Sequence, residues 1–219
     1  MLELGLIVLA AYLVGSVMGG LILRPLIGGA DIRREGSGNA GATNALRTRG
    51  KGFAAAVAVI DVLKGVAAVA LIPQLSLLTE TAQALDPEWL MALCGVAVVF
   101  GHVWPLWHGF RGGKGAATLV GVMIVIAPMA LLPILAVWLL VLVFSGYVGL
   151  ATVLAAAVGP VYTLAIGEPL TGMLVTFTGV MFITIVYTHR SNLKRLARGE
   201  EARFEKAMLF RRRHGSGEG

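Results

Sequence analysis

AATLVGVMIVIAPMALLPILAVWLLVLVF, residues 116–144, carries no charged side chain and is interrupted only by Pro128 and Pro133. Crossing roughly 30 Å of hydrocarbon takes about 20 helical residues. This stretch is long for one crossing and short for two, and its reading sets the parity of every helix after it. Other apolar runs lie at residues 4–23, 53–73, 89–107, 150–166 and 170–187.

Charge decides the parity. With the N-terminus outside, the loop after the first run is cytoplasmic and holds Arg24, Arg33, Arg34, Arg47, Arg49 and Lys51. The next loop carries Glu80, Asp86 and Glu88 without Lys or Arg, and Arg111 and Lys114 return inside. The tail, with Arg190, Lys194, Arg195, Arg198, Arg203, Lys206 and Arg211–Arg213, belongs inside by the positive-inside rule. A single span over 116–144 would send that tail outside. Two helices of about 14 residues each, folded back between Pro128 and Pro133, restore the parity and leave Glu168 outside. The expected fold is therefore an all-α integral membrane protein with seven transmembrane helices, one pair forming a short hairpin. Its N-terminus is outside and its C-terminus cytoplasmic. Residues 1–210 read as a single polytopic membrane domain and 211–219 as a disordered tail. Residues 4–23 lack a basic leader and a small-x-small cleavage site, which makes them a retained helix.

Composition agrees. With 57% hydrophobic and 14% charged residues, the chain cannot coat a soluble domain with polar groups. The net charge of +6 gathers on one face, which suits membrane lipid and small anions and gives no nucleic-acid footprint. A lone cysteine, Cys94, permits no intrachain disulfide and no thiol-rich metal site. His102 and His108 have no carboxylate cluster beside them, so no metal is expected.

The inner loops carry the chemistry. GSGNAGATNALR, residues 36–47, contains G-x-G-x-x-G with Asp61 further on, but no buried strand precedes it and Asp61 falls inside an apolar helix. The dinucleotide reading is rejected. What remains is anion binding: Gly36, Gly38 and Gly41 let backbone N–H groups approach a ligand, and Ser37, Asn39, Thr43 and Asn44 add short donors. Arg47 could grip a phosphate through two parallel hydrogen bonds. GHVWPLWHGFRGGKGAAT, residues 101–118, is not a Walker A loop, yet Lys114 lies among Gly112, Gly113 and Gly115 at a helix start, with Thr118 closing the segment. In HRSNLKRLARGEE, residues 189–201, His189 and Asn192 are three apart and share a helix face with Arg195 nearby. Asp61 and Lys64 lie about 13 and 18 Å along the second helix from Gly52, so they should pair and brace the site.

Taken together, these three segments resemble the bacterial acyl-phosphate-dependent glycerol-3-phosphate acyltransferases, the PlsY family, in order and spacing along nearly the whole chain. The Asp61-Val-Leu-Lys64-Gly65 segment is similar to the family's second helix. The resemblance implies a cytoplasm-facing site in the plasma (inner) membrane and no cofactor. The reaction it implies moves a fatty acyl group from acyl phosphate to the 1-hydroxyl of glycerol 3-phosphate, giving lysophosphatidic acid and phosphate. By position, Ser37, Arg47, Lys114, His189 and Asn192 match the family's catalytic and substrate-binding residues, and the loop glycines match its phosphate-binding backbone. The general base, His189 or a substrate phosphate, stays open. So does docking of the acyl-phosphate-producing enzyme on the basic tail. Trp104 and Ala116 stand where the family often has Phe and Val. The chain also departs at residues 145–152, where the family tends to carry an arginine before the tyrosine and more serines. The alternative class, a membrane transporter for an organic phosphate, would need paired repeats or a polar set through the membrane.

Overall fold

A computed structural model describes residues 2–23, 31–78, 86–166 and 171–209. The charges at Arg24, Glu80, Glu168 and Arg211–Arg213 and the tail 211–219 lie outside the described residues. The described chain is helical, without a strand: α1 Leu2–Gly15, a single turn α2 Gly19–Ile22, α3 Ala42–Thr48, α4 Lys51–Ala70 and α5 Pro87–Val103. α6 Ala116–Ile126, α7 Pro128–Ser145, α8 Val148–Ile166, α9 Thr171–Thr188 and α10 Arg190–Ala197 complete it. Among the described residues four helical stretches are long and apolar enough to cross a membrane, and five if the pair α9–α10, bent by 55°, counts as one span. α1 and α6 are shorter apolar helices.

Two of the packed pairs are made close by reciprocal glycines. A side chain at Gly15 would strike the Val98 carbonyl, and one at Gly101 would strike the Tyr12 carbonyl, so α1 and α5 meet backbone to backbone. Gly65 against Thr118 and Gly121 against Val62 do the same for α4 and α6. Where apolar surface gains nothing by leaving lipid, such close approach is what holds helices together. α7 and α9 pack on either side of α8. α7 buries only Ala130 and Leu142, and turns Met129, Leu132, Leu139, Leu140 and Phe144 outward. That surface is suited to lipid and not to water.

Two expectations are modified. The first apolar run is not one helix: α1 stops at Gly15 and the chain runs open through Met18 before α2. The group that satisfies the opened backbone is remote in sequence. The Lys64 ammonium donates hydrogen bonds to the chain's freed carbonyls, at 2.9 Å to Gly15 and 2.7 Å to Val17. Residues 116–144 do break into two helices, but at Ala127, giving arms of 11 and 18 residues in place of equal ones. Pro128 sits at the first position of α7, where its missing N–H costs nothing. Pro133 stays inside α7, where it removes one backbone hydrogen bond without ending the helix.

Candidate functional site

The loop 36–47 is organised around one amide. Asn44 is buried, and its Nδ2 donates to the carbonyls of Ile32, Glu35 and Asn39 at 2.9–3.0 Å while its Oδ1 accepts from the Ser37 N–H at 2.8 Å. Both amide hydrogens of that side chain are taken up by neighbouring carbonyls, so Asn44 shapes the site and has no donor left to offer an anion. Gly36 and Gly38 take left-handed φ of 56° and 72°, which lets the chain wrap around that amide. Arg33 then ties the loop to its neighbour: paired with Asp31 at 2.7 Å, it donates to the carbonyls of His108 and Arg111 at 3.0 and 2.9 Å.

The lysine loop is strapped to the end of α5. Gly112 and Gly113 donate to the carbonyls of Val103 and His102 at 3.1 and 3.0 Å. A side chain on Gly113 would overlap His102 Nε2, so the loop lies flat on that ring. Beneath the ring is a buried charged cluster. Lys64 Nζ stands 3.2 Å from Asp61 Oδ1 and 2.8 Å from His102 Nδ1, and His102 Nδ1 is 3.5 Å from the same carboxylate oxygen. The Asp61–Lys64 pair thus exists, and His102 and the two α1 carbonyls join it.

The third segment completes the arrangement. Lys114 Nζ donates to Asn192 Oδ1, and Asn192 Nδ2 donates to Glu201 Oε1 at 2.7 Å. Arg195 Nε donates to the other oxygen of the buried Glu201 at 2.7 Å. His189, at the start of α10 and 5% exposed, has Nδ1 2.9 Å from the Ile185 carbonyl. Its Nδ1–H therefore donates there, which leaves Nε2 as an acceptor. Burial, with help from the Lys114 charge, pushes the His189 imidazolium down to about 4, so the ring is neutral at pH 7. Burial and the repulsion of Arg195 and Arg47 pull Lys114 down to about 8, against the attraction of Glu201. Sequence reasoning missed Glu201 because a carboxylate in a basic tail reads as solvated. The signal available was the crowd of cations around it, which needs a counter-charge.

Two cavities meet at Lys114. One, about 390 Å³, has Ser37, Asn39, Arg47, Lys114, His189 and Asn192 at one end and runs on among apolar side chains of α6, α7, α8 and α9. Gly41, Thr43, Asn44 and Gly115 also line it, and so does Asp61, whose Oδ2 has no partner among the described residues. The other, about 270 Å³, is lined by Ser37, Gly38, Asn39, Gly113, Lys114, Arg190 and Arg195. Three residues read as ligands from sequence line neither. Gly36 serves the turn, Gly112 the strap, and Thr118 is fully buried with its carbonyl against Gly65 in the α4–α6 contact.

A helical membrane protein that joins a nest of loop amides and cations to one end of an apolar cavity is built to handle anionic, lipid-like molecules at the membrane edge. The chain belongs to the glycerol-3-phosphate acyltransferase family, whose model matches residues 5–199. It is accordingly a multi-pass membrane acyltransferase of phospholipid synthesis. A glycerol-3-phosphate acyltransferase of Synechococcus elongatus is 39% identical over 94% of this chain and 97% of its own length, and one of Clostridioides difficile is 40% identical over 90% and 93%. Crystal structures of the integral membrane glycerol 3-phosphate acyltransferase PlsY superpose with TM-scores of 0.79 for its glycerol 3-phosphate form and 0.76 for its lysophosphatidic acid form. These are 33% and 32% identical and cover 92% of this chain and 96% and 95% of theirs.

Proposed function

We propose that this protein transfers a fatty acyl group from acyl phosphate to the 1-hydroxyl of glycerol 3-phosphate, releasing lysophosphatidic acid and inorganic phosphate. The observation that carries the reading is the pair of cavities sharing Lys114: one small and polar, one with a polar mouth and an apolar length. A phosphate fits the first, and an acyl chain with a phosphate at its head fits the second. The solved relatives in glycerol 3-phosphate and lysophosphatidic acid forms support the same pairing.

An acyl phosphate is a mixed anhydride with a good leaving group, so no covalent acyl-enzyme is needed. The protein's task is to hold two anions side by side with the hydroxyl aimed at the carbonyl. In this mechanism Lys114, Arg47, Ser37 and the loop amides of residues 38–41 and 113–115 hold the phosphates and stabilise the departing one. Asn192, oriented by Glu201, and Arg195 position glycerol 3-phosphate. Neutral His189, with Nε2 free to accept, takes the hydroxyl proton as the new ester C–O bond forms. The carbonyl carbon's bond to the phosphate oxygen then breaks, and the proton passes to the leaving phosphate.

The membrane arrangement proposed with it has seven helices, α6 and α7 forming the unequal hairpin, the N-terminus outside and the C-terminus inside. The site then faces the cytoplasm of a bacterial plasma membrane. Single cysteines introduced at positions 49 and 88 and labelled from either side test this; labelling of 49 from outside and 88 from inside would reverse it, and labelling of both from the same side would refute the crossing between them. The reaction is tested with purified protein in a lipid phase, given acyl phosphate and glycerol 3-phosphate without CoA. Phosphate release that requires glycerol 3-phosphate, matched by lysophosphatidic acid, is the expected result. Failure of a folded preparation to release phosphate would turn attention to organic-phosphate uptake in proteoliposomes.

A further inference from the structure

On α8 and α9 the apolar length of the larger cavity stops at one level. Along α8 it is lined by Gly149, Thr152, Ala155, Ala156 and Gly159, positions that recur on one helix face. Gly149 marks the end where the chemistry lies: a side chain there would meet Asn192. Midway, Trp138 Nε1 donates to Thr152 Oγ1 at 3.2 Å, fixing the indole as part of the wall. Gly159 is the last residue of α8 on the lining, and ten residues at 1.5 Å put it ~15 Å from Gly149.

On α8 and α9 the lining goes no further than Gly159 and Thr178. A side chain built there would come within 3.3 Å of Thr178 Cβ, 3.4 Å of its Cγ2 and 3.9 Å of Ile134 Cδ1. One turn on, Thr163 is buried and absent from the lining. Its Oγ1 is 3.1 Å from the Gly159 carbonyl, 3.0 Å from that of Pro160 and 3.4 Å from Thr178 Oγ1. Thr178 in turn donates to the Leu174 carbonyl at 2.6 Å. Two threonines, each hydrogen-bonded back to its own helix, thus stand across α8 and α9 just past Gly159, the last α8 residue on the lining, where even a Cβ would press on Thr178.

We propose that Gly159, with Thr178 and Ile134, sets the length of acyl chain that the enzyme accepts. The inference rests on the acyl-phosphate reading and adds a specificity determinant to it. A chain whose terminal methyl reaches Gly159 fills the cavity. A longer one must bend against the threonine stop, and a residue larger than glycine at position 159 moves the stop toward the carbonyl.

The test is competition between decanoyl, palmitoyl and stearoyl phosphate supplied in one lipid phase, with products resolved by mass spectrometry. The product ratio is a ratio of kcat/KM values and does not depend on how much enzyme is folded. Gly159→Leu is expected to shift the decanoyl-to-palmitoyl ratio at least tenfold toward decanoyl, with the KM for glycerol 3-phosphate unchanged. Ile134→Ala, which enlarges the same end, is expected to shift it the other way and raise stearoyl use about threefold. Val161→Leu, on the outer surface of α8, should leave the ratios alone. Unchanged ratios in both Gly159→Leu and Ile134→Ala, with the wild type active, overturn the proposal; if Gly159→Leu does not fold, Gly159→Ala and Ile134→Ala decide it. A wild type inactive on every acyl phosphate instead removes the reading beneath it.

Discussion

Two charged clusters lie one above the other, and they are built differently. The deep one joins Asp61, Lys64 and His102 under the lysine loop, all 6% exposed or less. Its cation is surrounded by acceptors: a carboxylate, an imidazole nitrogen and two backbone carbonyls. The upper one joins Lys114, Asn192, Arg195 and Glu201, with Arg47 and Arg190 along the same two cavities, so that positive charge exceeds negative. A cluster whose cation is matched holds a fold together. One with cations in excess waits for an anion. The difference separates bracing from binding, and each half of that distinction can be broken by experiment.

The largest effect is expected deep in the protein. Lys64→Ala leaves the Asp61 carboxylate buried without its cation and returns the Gly15 and Val17 carbonyls to an apolar setting. Removing one partner of a buried pair costs about 3–5 kcal/mol. The variant should lose most of its folded, detergent-stable fraction, and the double change Asp61→Leu with Lys64→Met should recover much of it. A Lys64→Ala protein with full thermal stability and no turnover would break the comparison, because it would make the deep cluster catalytic.

Lys114 should behave in the opposite way. Lys114→Ala is expected to lower kcat/KM by ~10²–10³, the range for removing a donor aimed at developing charge, with the thermal midpoint little changed. The pH profile sharpens the point. Lys114 is cationic below about 8 and neutral above it. Activity expressed as kcat/KM, which reports the free enzyme, should therefore fall as pH rises through about 8. The same group's ordinary value is 10.5, so the unfolded chain holds more protons between about 8 and 10.5. Its contribution to stability is thus unfavourable below about 8 and relaxes as pH rises through that window. Activity falls where this contribution improves. Lys114→Arg, a cation at every accessible pH, should remove the alkaline limb whatever it does to the plateau.

How much of this could be read from the chain follows from how local each cause is. Glycines around a lysine, and a histidine three residues before an asparagine, announce anion chemistry within one loop or one turn. The residues drawn from all three segments do line a common cavity. The interruption at Ala127 was legible because charge parity demanded a turn and Pro128 supplies a helix start. Its unequal arms were not, because nothing local says that Pro133 stays inside a helix. The break after Gly15 was missed although Gly15-Ser16 and Gly19-Gly20 weaken a helix there, because the lysine that satisfies the freed carbonyls lies in another helix. Asn44 looked like a ligand because its engagement with Ile32, Glu35 and Asn39 exists only once the loop has folded.

His189 tests the upper cluster from another side. His189→Ala should lower kcat at least tenfold while glycerol 3-phosphate still binds, because Lys114 and Arg195 remain. Since the imidazole is protonated only below about 4, the wild-type profile should carry no acid limb from His189 above about pH 5. Turnover near normal in His189→Ala would hand the proton to a substrate phosphate and leave His189 as a packing residue held by Ile185.

The smallest effect is expected at Arg33, which belongs to neither cluster but joins the loops that make the upper one. It is 24% exposed at its side chain, and exposed ion pairs are worth roughly 0–1 kcal/mol. The stability change in Arg33→Ala should therefore be slight. The guanidinium nevertheless links residues 31–34 to the carbonyls of His108 and Arg111, and so sets the spacing between Ser37 and Lys114. The expected signature is a rise of about threefold in the KM for glycerol 3-phosphate with kcat retained, reflecting two halves of an anion site that still meet but are less well held. A kcat loss as large as that of Lys114→Ala would mean that Arg33 itself touches substrate, and the boundary of the binding cluster would have to be redrawn to include it.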